Sequence, residues 1–193
     1  MKIHGTAKGG ALSKKDFGVA FGGAGGNGGG TVDSNSFTND NANSQGFSLV
    51  STRVGGGISI NAGSELIEKT PTQITWMPFI TGSPSGGNLT CRIYTPDGTA
   101  TGTLQATSTN SFTMAQWIAK EDEKADFAFS TSYELAESDT IIVYLDDTSG
   151  SDGSNFATWA KSSYDDSALF RLVQYYGSWE LGDDDSPYFQ LTY

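Results

Sequence analysis

Between Thr72 and Thr95 the chain reads TQITWMPFITGSPSGGNLTCRIYT, two strand-like runs around a Gly/Ser/Pro turn. In the first run Ile74 and Trp76 fall on one side, and Gln73, Thr75 and Met77 on the other. In the second, Leu89, Cys91 and Ile93 alternate with Thr90, Arg92 and Tyr94. A period of two bounded by turn residues marks a half-buried strand. Two such runs in succession predict an antiparallel hairpin, and the rest of the chain must pair with it or cover its apolar face.

Further strand-like segments lie on both sides of this stretch. Gly46–Ser51 and Gly57–Asn61 flank Arg53-Val-Gly-Gly-Gly57, whose glycines predict a bend or bulge. Pro96-Asp97-Gly98 is a turn, and Leu104–Ser108 a short strand. Met114, Trp117 and Ile118 fit one face of a helical turn, followed by a charged loop over 120–124. Ala125–Ser130 buries Phe127 and Phe129, and the almost wholly apolar Thr140–Asp146 reads as a central strand. Phe156–Lys161, Ala168–Tyr176 and Tyr188–Tyr193 complete the pattern, with Gly177-Ser-Trp179 as a turn carrying an aromatic. Eight to eleven short strands at this spacing predict an all-β chain, a jelly-roll-like antiparallel β-sandwich.

Residues 1–45 differ in kind. They hold glycine clusters, an Asn/Ser/Asp tract and a single strand-like word, Phe17-Gly-Val19-Ala-Phe21. Such a segment buries too little apolar surface to offset a conformational entropy of about 1–2 kcal/mol per residue. Charge divides the chain in the same place. Lys2, Lys8, Lys14 and Lys15 precede any acid, whereas from Asp16 onward 7 basic and 22 acidic residues give a balance of −15. The domains expected are therefore an extended Gly/Asn-rich arm over 1–45 and a sandwich over 46–193. The arm is expected to be held by a neighbouring subunit, its Phe17, Val19 and Phe21 filling pockets beside an added strand, the alternative being an arm folded back over its own domain. Gly23-Ala-Gly25-Gly-Asn-Gly28 matches a dinucleotide fingerprint in letters alone; no βαβ pattern surrounds it, and it reads as linker.

The order of motifs in residues 46–193 resembles a widespread jelly-roll domain of secreted, cell-surface and viral proteins, similar in shape to carbohydrate-binding modules. The matching words are Gly82-Ser83-Pro84-Ser85-Gly86, Arg92-Ile93-Tyr94, Phe127-Ala-Phe129, Ile142-Val143-Tyr144-Leu145, Tyr176-Gly177-Ser178-Trp179 and the closing Asp185 to Tyr193. The resemblance implies architecture more than activity. The lysine- and glycine-rich leader likewise resembles an attachment arm of virion proteins.

The residues offer little for catalysis. The one histidine, His4, lies in the arm, and the one cysteine, Cys91, reads as a buried small hydrophobe. A glycosidase needs two carboxylates facing across a cleft, but the acidic clusters here sit in loop-like sequence where solvated charge is the default. The chain is read as a non-enzyme without a required cofactor. Asp146, Asp147 and Asp152 in one loop, or Asp183, Asp184 and Asp185 before the last strand, offer oxygen ligands for a structural calcium ion, though the EF-hand spacing fails, with Thr158 where the bidentate Glu belongs if Asp147 is the first ligand. Trp159, Tyr175, Tyr176 and Trp179 offer flat rings for a sugar face. An acidic body with four lysines in its arm is a poor match for nucleic acid. MKIHGTAKGG lacks the apolar core of a signal peptide and no run reaches the length of a membrane span, so a product made without export signal or membrane insertion is expected.

These readings converge on a virion structural protein, a capsid decoration, fibre or capsid-associated subunit at the virion surface or outside the cell. Its arm would bind copies of itself or other particle subunits. The alternatives are a carbohydrate-binding or adhesion module and a donor-strand-linked extracellular filament subunit.

Overall fold

The computed structural model describes residues 31–33, 48–50, 52–97, 102–121, 123–159, 170–175, 179–181 and 189–193. In chain order the elements are β1 (Thr31–Asp33), β2 (Gly55–Ile60), β3 (Gln73–Trp76), β4 (Pro78–Thr81), β5 (Asn88–Thr95), β6 (Thr103–Thr107) and β7 (Phe112–Thr113). They continue with α1 (Met114–Ile118), β8 (Ala125–Ala128), β9 (Thr140–Leu145), β10 (Phe156–Trp159), β11 (Phe170–Tyr175), β12 (Trp179–Leu181) and β13 (Phe189–Thr192). The fold is all-β, and every strand pairing among the described residues is antiparallel. No helix of the described residues is long and apolar enough to cross a membrane.

One sheet runs β1-β13-β3-β8 and a larger one β12-β11-β2-β9-β5-β6, with β7 also on β5; β10 and β4 form a separate pair. Directly paired residues share a face. In the smaller sheet the row Val32–Leu191–Ile74–Phe127 is apolar from edge to edge. In the larger sheet Leu89, Cys91 and Ile93 pair with Leu145, Val143 and Ile141, all but sealed from solvent. Side chains from both sheets join one core with Trp117 and Met114 of α1, which gives the body its sandwich-like character.

The Thr72–Thr95 stretch is not a hairpin. Its two runs lie in different sheets: β3 sits between β13 and β8, while β5 sits between β9 and β6. With both edges of β3 taken, no hydrogen-bonding edge remains for β5. Pro78, which has no N–H to give a ladder, opens β4, and β4 leaves to pair with β10. The 82–87 loop then carries the chain across, with Gly87 in the left-handed region (φ 71°) and against the Asp147 carbonyl, where a Cβ has no room.

Gly55–Gly57 is also not a bend. It lies inside β2 between β11 and β9, and a Cβ at Gly57 would sit on the Ile141 carbonyl oxygen. The glycines let β9 approach β2 closely. Met114 and Trp117 of α1 are buried as the spacing predicts, but Ile118 is 37% exposed. A capping box starts this short helix: Thr113 Oγ1 accepts from Gln116 N–H at 3.2 Å and Gln116 Oε1 from Thr113 N–H at 2.8 Å. The Trp117 indole N–H donates to the Thr158 carbonyl at 3.2 Å, which ties α1 to β10. Trp179 is the first residue of β12 and pairs with Tyr175, while Gly177 and Ser178 of the expected turn lie outside the described residues; Thr31–Asp33, inside the expected arm, is an edge strand of the smaller sheet.

Candidate functional site

The apolar alternation of β5 sends Leu89, Cys91 and Ile93 into the core and leaves Thr90, Arg92 and Tyr94 half-buried on the other face. Strand pairing extends that outer face across five strands. One row runs Thr90–Tyr144–Gly55–Tyr175–Trp179. The next runs Arg92–Ile142–Gly57–Val173–Leu181, and the third Tyr94–Thr140–Ser59–Arg171. Four aromatic residues and two arginines thus hold positions on one face, and no Asp or Glu occupies any position of the three rows.

Arg92 is fixed by neutral neighbours. Its guanidinium carbon lies 3.6 Å from the centre of the Tyr144 ring. Its Nε–H donates to Thr90 Oγ1 at 3.3 Å and an Nη1–H to the Tyr94 hydroxyl at 3.4 Å. A cation held over a ring in a partly buried place gains about 0.5–2 kcal/mol, whereas hydrogen bonds of this length add less. Arg92 makes no ion pair among the described residues. Ile142, directly across from it and outside the main core cluster, is 1% exposed. The opposite outer face, on the smaller sheet, differs in charge: its row Asp33–Gln190–Thr75–Asp126 carries two acids.

Of the aromatic candidates, Tyr175 and Trp179 form a directly paired position in the first row, beside Tyr144 across Gly55. Trp159 ends β10, opposite Pro78 in the separate two-stranded sheet. Tyr176 lies outside the described residues, as do the arm candidates Phe17, Val19 and Phe21. Arg92, Tyr94, Tyr144 and Arg171 escaped sequence reasoning as site residues. The signal for the first two was present in the polar half of the R-I-Y alternation.

Asp146, Asp147 and Asp152 of the calcium expectation lie in loop 146–155, each turned to nearby donors, while Asp183, Asp184 and Asp185 lie outside the described residues. Asp146 clamps Asn88, accepting from its backbone N–H at 2.6 Å and its side-chain amide at 3.1 Å. Asp147 accepts from Ser149 N–H at 2.9 Å, and that donor, with the Ser149 side chain, holds its carboxyl below the usual range. Asp152 accepts from Ser154 N–H at 2.7 Å and from Asn155, and its carboxyl is lowered in the same way. Among the described residues no group of three or more His, Cys, Asp or Glu is placed to hold a metal ion. The fully buried Asp139 is likewise engaged, accepting from Thr95 Oγ1–H at 2.8 Å, the Tyr133 hydroxyl at 2.8 Å and Ala136 N–H at 2.8 Å. It ties the 133–139 segment to β5.

No protein-family model, curated protein or solved structure matches this chain.

Proposed function

We propose that this chain is a non-enzymatic structural subunit of a virus particle, a decoration, fibre or capsid-associated protein with a jelly-roll body anchored through its N-terminal arm. The observation that carries the reading is the way the smaller sheet ends. The last strand of the leader, β1, covers one of its edges by pairing with β13. At the other edge Asn110 occupies the outward backbone groups of β8. With both of its edges taken, the smaller sheet does not join neighbours edge to edge, and the reading assigns the joining to the residues ahead of Thr31, which would bind copies of the chain or other particle subunits. The virion assignment itself draws on the likeness of the leader and body to virion proteins. Replacing Phe17, Val19 and Phe21 by serine in the full chain tests the reading. Assembly should be lost while the thermal transition of the body stays put; unchanged assembly would refute it.

A second reading, a carbohydrate-binding or adhesion module, is favoured by the row that places Tyr144, Tyr175 and Trp179 on one face. Aromatic residues are the type that offers flat apolar surface to the C–H faces of sugars, and here three hold positions in one row. Tyr144→Ala and Trp179→Ala test it by loss of retention on immobilised glycan.

A further inference from the structure

We propose that the outward edge of β6 receives the segment Phe17–Phe21 from the leader of a second copy, as an added strand. The inference rests on the arm reading above and adds the surface that the arm grips.

Strand edges are the deciding observation. In the smaller sheet β1 lies along β13 and Asn110 serves the backbone of β8, so both ends are taken. The larger sheet ends on β6, which pairs with β5 on one side alone. Beyond that pairing, the Thr103 hydroxyl donates to Asp97 at 2.6 Å, and Thr103–Thr107 make no other hydrogen bond among the described residues. The strand reads TLQAT, without the charges or proline that ordinarily guard an edge. Leu104 on it is 48% exposed, more than any other large apolar side chain described. Unused N–H and C=O groups beside an exposed leucine are a template for another strand.

The same edge selects its partner. Its register against β5 shifts between Ile93 and Tyr94, which leaves Gln105 as an extra residue. A bulge adds twist, and two such edges do not lie flat on each other, so β6 of one copy is a poor match for β6 of the next. In Phe17-Gly18-Val19-Ala20-Phe21 the glycine gives the backbone freedom to follow that twist, and the alternation sets three apolar side chains on one face. Turned to the side of Ala106, which pairs with Ile93 and packs on the core, they carry the core outward. Charge favours the match as well. Lys2, Lys8, Lys14 and Lys15 precede this segment, while from Asp16 onward 7 basic residues stand against 22 acidic ones.

Complementation between two variants of the full chain provides the test, read by sedimentation velocity. The arm variant has Phe17, Val19 and Phe21 replaced by serine. The edge variant carries Leu104→Lys and Thr107→Lys, charges that guard β6. Both of its substituted positions are exposed, so its melting transition should match the parent's. Neither variant alone should assemble. Mixed in equal amounts they should form a pair and nothing larger, because only one intact arm and one intact edge are left to join. Hydrogen exchange of the parent needs no substitution: the amides of Thr103–Thr107 should slow as concentration rises. An edge variant that assembles as the parent does, or a mixture that stays monomeric, overturns the β6 inference; the arm reading stands if the arm variant still fails to assemble. Exchange at Thr103–Thr107 that is slow at every concentration also overturns the inference, since the edge is then covered within one copy. An arm variant that assembles, or a parent that is monomeric throughout, overturns both.

Discussion

Trp76 and Cys91 meet in the one core from opposite sheets, both sealed from solvent. Burial pushes the thiol up to about 12, and the indole and the Arg92 backbone N–H only partly offset it. A group whose folded pKa lies above its unfolded value destabilises the fold once pH exceeds the unfolded value. Unfolding free energy should therefore fall as pH rises from 9.0 toward about 12, and Cys91→Ala should remove that part of the slope. The same burial predicts that a disulfide reagent at pH 8 labels the chain only as fast as it unfolds. Labelling at the rate of a free thiol would contradict the packing.

Asn110 serves β8 as a side-chain substitute for a neighbouring strand. Its Oδ1 accepts from Ala128 N–H at 2.7 Å and its Nδ2–H donates to the Asp126 carbonyl at 2.9 Å. Asn110→Ala should cost about 1–2 kcal/mol and, more tellingly, bare an edge that pairs with other chains. Light scattering of the variant, made in a chain shortened to begin at Thr31, should show concentration-dependent association that the shortened parent lacks.

Gly57→Ala tests the close approach of β2 and β9. A methyl group there meets the Ile141 carbonyl, which is backbone and has nowhere to yield, so the strands must separate. Urea unfolding should show a loss of about 3 kcal/mol or more. Gly63→Ala should cost only about 1 kcal/mol, since its Cβ meets nothing within 4 Å and only its φ of 80° resists. Equal effects would mean that β2 does not pack as described.

Asp147 and Asp152 link loop 146–155 to pH. Backbone donors at Ser149 and Ser154 lower their carboxyls below 3.8, so their contribution is present above that value and lost as pH falls through the lower folded one. Carbon-detected NMR titration should give both midpoints below 3.8. Midpoints at or above it would show that the loop turns are not formed.

The parts of this fold legible in the sequence are those fixed by local alternation. Leu89, Cys91 and Ile93 face inward as spaced, and the apolar Thr140–Leu145 is a central strand buried on both faces. Pairing partners were not legible, because a period of two reports which face is buried and not which strand lies alongside. Ile74 and Trp76 carry the pattern of a hairpin partner for β5 yet face it from the opposite sheet. Gly55–Gly57 misleads in the same way, since an absent Cβ suits a bend and a crowded strand equally. The candidate face exists only once five strands are aligned: Arg171 and Tyr94 lie far apart in sequence and meet in one row through Thr140 and Ser59.

The most direct test compares the full chain with one shortened to begin at Thr31, by sedimentation velocity at matched concentration. The account predicts that the shortened chain keeps its β spectrum and melting transition but sediments as a monomer, while the full chain forms larger assemblies. A shortened chain that assembles as the full one does would contradict it.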